Sequence, residues 1–493
     1  MTMDQTVSKA AAGDGALSES EKNAIIGGVL LSMLLAALDQ TIVAPAMPTI
    51  AEALGHAQYL PWIVTGYLLT ATAMAPLYGK ISDVHGRRPT LYAAILIFLA
   101  GSLVAALAPN MLVLIIGRAI QGLGGGGLFA MAQTVIGDLV PPKERARYAA
   151  WISGTWAVAS IAGPLLGGTF AEHLHWSLIF WINLPLGLLA MAIINKPLRK
   201  LPVAAHRHSI DWLGAALLVV ATSLLLLALN WGGGTYPWSS AQILGLFAAS
   251  AFVWAVFALR LVKALEPLIS LNVLGNSIVL AGTLSLFLLQ AANVGLSVYL
   301  PVYLQAHLGL TASESGMAML GILLGTVAGA TTAGRLTPRF THYKRLALAG
   351  VCFGVVALTV LAFVAGSTSL TWVVVLTTCV GYGAGTTFPV ATISVQNAVE
   401  RSHLGVATGV LTFMRSLGGA LGVALLGAVG AAYGLPLMGE GMQAQTQLSS
   451  AVPFAAIFFV SMALLVATLA ALAAMPEKPL RGRDEAETPM IAE

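Results

Sequence analysis

Three charged residues are sunk in otherwise apolar stretches of this 493-residue chain: Asp39, Arg118 and Arg415. Asp39 stands within "LLAALDQTIVAPAMP" and Arg118 is the second residue of "GRAIQGLGGGGLFA". A charge at the centre of a membrane helix costs about 2.5–3.5 kcal/mol on insertion scales, so such residues are rare and usually functional. Asp39 lies about seven residues from one end of its apolar segment. Arg118 lies about six from the corresponding end of its own, and at 1.5 Å per residue both are roughly 10 Å deep. Opposite charges at one depth suggest a contact or a shared cavity. That contact is either a structural ion pair or a proton or cation site. Burial favours the neutral acid and a guanidinium favours the carboxylate, and a balance that changes as a cavity opens and closes is what proton coupling requires. Arg415 lies near the middle of its segment and is expected to serve function. Tyr67, Gln290, Asn293, Tyr299 and Tyr303 are candidate cavity residues, with helix packing or an interfacial position as the plain alternative.

The elements that hold these residues follow from composition. The chain is 58% hydrophobic and only 9% charged, against about 25% charged in an average soluble domain. It must be an all-α integral membrane protein, since lipid admits only helices and closed barrels. Fourteen apolar segments of about 20 residues are long enough to span a bilayer, from 24–46 through 112–135 and 404–430 to 453–475. Of the 24 Lys and Arg residues, all but Arg118 and Arg415 fall in the tails or in every second connection. This asymmetry puts both termini in the cytoplasm. The chain also repeats itself. "GRLTPRFTHYKR" begins at Gly334, 255 residues after "GKISDVHGRR" at Gly79. "ERSHLGVATGVLTFMRSLGGA" begins at Glu400, 256 residues after "ERARYAAWISGTWAVASIAGP" at Glu144. The expected organisation is a disordered cytoplasmic tail (1–23), a six-helix bundle (24–196), a linker carrying two additional helices (197–275), a second six-helix bundle (276–475) and a cytoplasmic tail (476–493). Parallel halves of this kind are a transporter architecture.

Two further motifs sit at helix ends or seams. Gly79, Asp83, Gly86, Arg87 and Arg88 form a basic turn between spans two and three, with glycine for the turn and arginines that cannot enter the bilayer. Its second copy has Pro338 in place of the acid. Gly163, Pro164, Gly167 and Gly168 mark a kinked, closely packed helix late in span five. The run Gly124–Gly127 lacks a following Lys-Ser/Thr, so it is no phosphate loop; it lets helices approach. Cys352 and Cys379 have no partners at metal-ligand spacing. No metal, cofactor or nucleic-acid partner is expected.

On these residues the chain resembles the major facilitator superfamily. The turn from Gly79 to Arg88 resembles its loop signature, and Arg118-x-x-Gln121-Gly122-x-Gly124 its fourth-helix motif. Gly163-Pro164-x-x-Gly167-Gly168 is similar to the antiporter motif of its exporters, with Ala150 and Ala159 where glycines are usual. "LDQTIVAPAMP" resembles the first-helix motif of the fourteen-helix drug:proton antiporters, with Pro45 where Val is commoner, and "HWSLIFWINLPLG" and "DWLG" agree. The resemblance covers the chain after residue 23. It implies a major facilitator fold of two six-helix bundles plus two central helices, in a bacterial cytoplasmic (inner) membrane, functional as a monomer. It also implies export of small lipophilic or amphiphilic compounds in exchange for protons by alternating access, with Asp39 exchanging the proton and Asp83 latching the cytoplasmic side. The alternatives are export of a lipid or endogenous metabolite on the same fold, or a sensor or enzyme on that scaffold, for which no catalytic cluster is present. One embedded acid against two embedded arginines predicts that monocations, zwitterions or neutral amphiphiles are preferred over dications. Amphiphilic anions, with Arg415 as partner, stay open.

Overall fold

Six of the fourteen spans begin where a polar side chain takes up a free N–H group of the first helical turn. In the computed structural model, which describes residues 18–56, 59–200, 210–435 and 450–480, Ser18, Asn110, Asp211, Ser240, Asn276 and Thr311 each cap a helix this way. The fourteen spans are α1 Glu19–Leu54, α2 Leu60–His85, α3 Arg87–Ala106, α4 Met111–Leu139, α5 Pro142–His173, α6 Leu178–Asn195, α7 Trp212–Trp231 and α8 Ala241–Lys263. They continue with α9 Ser277–Ala306, α10 Ala312–Leu336, α11 Lys344–Val364, α12 Leu370–Ala398, α13 Leu404–Ala432 and α14 Val452–Ala474. All fourteen are long and apolar enough to cross a membrane.

Most helices outrun the apolar segments that announce them. The capping box of Ser18 and Glu21 starts α1 at Glu19, inside the stretch expected to be a disordered tail; residues 1–17 and 481–493 of the two tails lie outside the described residues. The expected turn from Gly79 to Arg88 shrinks to one residue. Helix α2 runs on to His85, and only Gly86 breaks it, with φ of 92°. Such a positive φ suits glycine, which has no Cβ to clash.

The internal repeat is visible in the packing. Helix α4 lies against α2 and α3 as α12 lies against α10 and α11, and α5 lies on α1 as α13 lies on α9. Two six-helix bundles result. They meet along two seams, α2 with α13 and α5 with α10. The α7–α8 hairpin packs against α2 and α13, outside the first seam, where Leu218 and Phe257 share a core with Ala75 and Val406. At its base buried Asp211 caps α7 and holds Arg260 of α8 at 3.2 Å. Gly124–Gly127 do bring helices together: an added Cβ would strike the backbone of α2 or α3 at Gly126 and Gly124, and the Tyr67 and Tyr78 rings at Gly125 and Gly127.

Candidate functional site

Between the bundles lies a cavity of about 1010 Å³. At one face it reaches exposed Gly234 and Gly316. Towards the other face, where Gly86 joins α2 to α3 and the Lys- and Arg-bearing connections lie, it ends on buried Gln133, Arg145 and Gln396. This second face is the basic face. Gln396 of α12 donates to the Gln133 carbonyl of α4 at 3.4 Å and accepts from Arg145 of α5 at 3.4 Å, so the floor ties the two bundles together. Of the expected cavity residues, Gln290, Asn293, Tyr299 and Arg415 line it.

Asp39 and Arg118 do not line it. They meet inside the first bundle at 2.5 Å, 0% and 1% exposed. The depth argument therefore places them correctly as a pair, while Arg415 belongs to a different place. Arg118 also bonds the Ile63 carbonyl of α2 at 3.0 Å and Gln121 at 2.8 Å. Its guanidinium lies 4.6 Å from the Tyr67 ring centroid and 5.8 Å from that of Phe180. The second Asp39 oxygen accepts from Gln121 at 3.0 Å and from Asn183 of α6 at 2.9 Å. Both amides reach on to Ser102 of α3, at 2.7 and 3.2 Å. Every partner of Asp39 donates, which matches a carboxylate that can only accept. Five helices, α1, α2, α3, α4 and α6, thus converge on one acid.

Tyr67 departs from its expected place. It is buried behind the cavity wall, because its ring serves Arg118. Its hydroxyl accepts from Gln40, which does line the cavity, at 3.5 Å. The path from cavity to acid is therefore Gln40, Tyr67, Arg118, Asp39. Tyr303 is packing: fully buried, it donates to the Ala365 carbonyl at 2.7 Å.

At the basic face the turn motif acts as a bridge between bundles. Asp83 accepts the backbone N–H groups of Gly405 at 3.0 Å and Val406 at 2.8 Å, the opening of α13. A carboxylate suits the positive end of a helix. Arg87 holds Asp83 at 2.5 Å and Asp138 of α4 at 2.6 Å, and Arg88 bonds Asn195 of α6 at 3.0 Å. Gly79 is not a turn residue. It lets the Gly405 backbone approach, where a Cβ would collide. The pseudo-equivalent place in the α5–α10 seam, at Pro338, is a gap lined by Lys143, Glu144, Arg147 and Arg335.

In α5, Gly163 and Gly167 face α1 just past Asp39. A Cβ at Gly163 would strike Thr41, and one at Gly167 the Ile42 carbonyl, whereas Gly168 faces open space. Thr41 donates to the Ala159 carbonyl at 2.8 Å. Pro164, inside the helix, denies the Ser160 carbonyl its donor, a usual source of kinks.

Gln121 stands out in the sequence as part of the fourth-helix motif, whereas Asn183, Ser102 and Asp138 do not. Asn183 still carries a signal, being an amide in an apolar segment.

The family model of the Major Facilitator Superfamily matches residues 29–422 and again 282–492. "Multidrug resistance protein 3" of Bacillus subtilis (strain 168) is 33% identical over 405 residues, 82% of this chain and 79% of the relative. "Multidrug transporter protein MdtP" of the same strain is 34% identical over 416 residues, 83% of this chain and 76% of the relative. Among solved structures, the proton:xylose symporter XylE aligns with a TM-score of 0.64 at 15% identity, over 95% of this chain and 98% of its own. The human organic anion transporter MFSD10 aligns with a TM-score of 0.63 at 18% identity, over 92% of this chain and 99% of its own. Likenesses at these identities bear on the fold.

Proposed function

The chain belongs to the Major Facilitator Superfamily, a family of transporters and not enzymes, and on that footing we propose that it exports small lipophilic or amphiphilic compounds in exchange for protons. The names of its relatives support multidrug efflux. The observation that carries proton coupling is Asp39, sealed against Arg118 yet one residue from Gln40 in the cavity wall. In this reading the basic face is cytoplasmic, both termini lie there, and the structure is the state open to the outside. The membrane is the cytoplasmic membrane of a bacterium.

Alternating access then follows from the contacts. A proton arriving from the outside neutralises Asp39 and turns one accepting oxygen into a donor. Arg118 loses its counter-charge, and the five-helix convergence loses its centre. Gly163 and Gly167 pass the resulting shift of α1 to α5, which lines the second seam. On the cytoplasmic side Asp83 must release α13 before the cavity can open there. Substrate enters from that side, and Asp39 gives up its proton as the ion pair re-forms. Each proton moving inward supplies about 2.3 kcal/mol per 100 mV and about 1.4 kcal/mol per pH unit, enough to sustain a useful efflux gradient.

Proteoliposomes test this. With a pH indicator trapped inside, the addition of drugs, antiseptics, lipids or metabolites should evoke proton movement only for exported compounds, and only with Asp39 intact. Substrate movement that ignores an imposed pH gradient would refute proton exchange. A response confined to lipids or metabolites would shift the substrate class.

A further inference from the structure

We infer that the central cavity holds its substrates as amphiphilic monoanions, with the acidic head on Arg415. This rests on the reading that the cavity is the transport site. Among the described residues the cavity wall contains two arginines, Arg145 and Arg415, and no aspartate or glutamate. Asp39 cannot offset them, being sealed and already engaged by Arg118, Gln121 and Asn183. The two arginines differ. Arg145, at the floor, donates to the carbonyls of Val140 and Gly137 and to Gln396. Arg415, midway along α13, makes no hydrogen bond or ion pair with any described residue.

A guanidinium left without a partner in a cavity of low dielectric is costly, and an anion in its place of need relieves that cost. Its planar fork fits a carboxylate or sulfonate through two parallel hydrogen bonds. The wall beside it extends the site. Gln290 and Asn293 lie one turn apart on α9 and both line the cavity. The Gln290 side chain reaches the α13 surface at Gly419, one turn beyond Arg415, and its carbonyl oxygen is buried without a donor. The amide NH2 groups of both can serve an oxyanion, and the Gln290 carbonyl a hydroxyl or N–H next to it. Opposite, Phe129 and Trp156 stack at 5.3 Å and offer a flat apolar bed. The cavity thus suits an aromatic or alkyl body with a single acidic head. A cationic head would meet uncompensated positive charge instead.

The test uses two probes of one shape and opposite charge, 2-naphthalenesulfonate and trimethyl(2-naphthyl)ammonium. The full-length protein in nanodiscs is titrated calorimetrically with each, and proteoliposomes under an imposed proton gradient are scored for their movement. The sulfonate is expected to bind about tenfold or more tightly than the ammonium. R415Q should weaken the sulfonate by about tenfold or more, the worth of a charged hydrogen-bonded contact, while leaving the ammonium no weaker. R415K should retain part of the preference and R415E should reverse it. Equal or tighter binding of the ammonium by the wild type would overturn the inference, as would a sulfonate affinity indifferent to R415Q in folded protein. If the ammonium alone is extruded, proton exchange stands and the anion inference falls. If the sulfonate binds as expected but neither probe moves, the anion site stands and the transport reading falls. Absence of both binding and movement would overturn both.

Discussion

Replacing Asp83 by Asn isolates the bridge at the basic face. The side chains are nearly isosteric, so the variant keeps the shape of α2 and one oxygen that can accept from α13. It loses the charge at the helix opening and one of the two acceptors for Gly405 and Val406. It also loses the ionic contact with Arg87, although Arg87 keeps Asp138. A hydrogen bond to a charged group contributes about 1.5–3 kcal/mol, and a charge at a helix terminus up to about 2 kcal/mol when partly buried. The Asp83 side chain is only 6% exposed, so little of this is screened. Because the bonds to α13 join the two bundles, they exist only while the basic face is closed. Their loss should shift the closed–open equilibrium by about 1.5–3 kcal/mol, roughly ten- to a hundredfold. Spin labels at His85 and Ser402, both exposed at the basic face, should report it by electron–electron double resonance as growth of a long-distance population. Substrate turnover should fall more than substrate affinity. An unchanged distance distribution, or a large affinity loss at wild-type turnover, would refute the latch.

Three further outcomes are expected. Asp39→Asn strands Arg118 inside the bundle and should cost about 3–5 kcal/mol of stability; adding Arg118→Gln should recover much of it, yet neither variant should export under a pH gradient, whereas restored pH-driven export in the double variant would reduce Asp39 to a structural role. Gly163→Val and Gly167→Val should each lower the thermal midpoint markedly by forcing α5 off α1, while Gly168→Ala, with nothing within 4 Å of its Cβ, should stay within about 0.5 kcal/mol; equal sensitivity of the three sites in thermal unfolding would contradict the packing. A cysteine at exposed Ser450, at the edge of a connection otherwise outside the described residues, should react with an impermeant maleimide in intact cells lacking Cys352 and Cys379; reaction only after lysis would reverse the topology.

The spans were legible because a bilayer leaves helices no choice of length, and Asp39 with Arg118 because depth alone pairs two opposite charges in antiparallel helices. What depth cannot give is direction. Helices α1, α2 and α4 are apolar nearly all round, so no stripe tells which side faces the cavity. Tyr67 was thus expected in the cavity and points away, while its neighbour Leu68 points in. The rest of the network came from residues whose partners are far off in sequence. Asn183 lies 144 residues from Asp39 and reads alone as an isolated amide. The repeat carries a sharper lesson. Two copies of one motif suggest two equivalent bridges, but only the first keeps its acid. The structure shows that acid bonded across the α2–α13 seam, while Pro338 borders a gap at the α5–α10 seam that Lys143, Glu144, Arg147 and Arg335 line. The two seams are therefore unequal. Opening at α2–α13 must break the charged hydrogen bonds of Asp83. The charged bridge that Asp83 makes between the bundles lies on the side against which the α7–α8 hairpin is packed, and a change at either should be felt at the other.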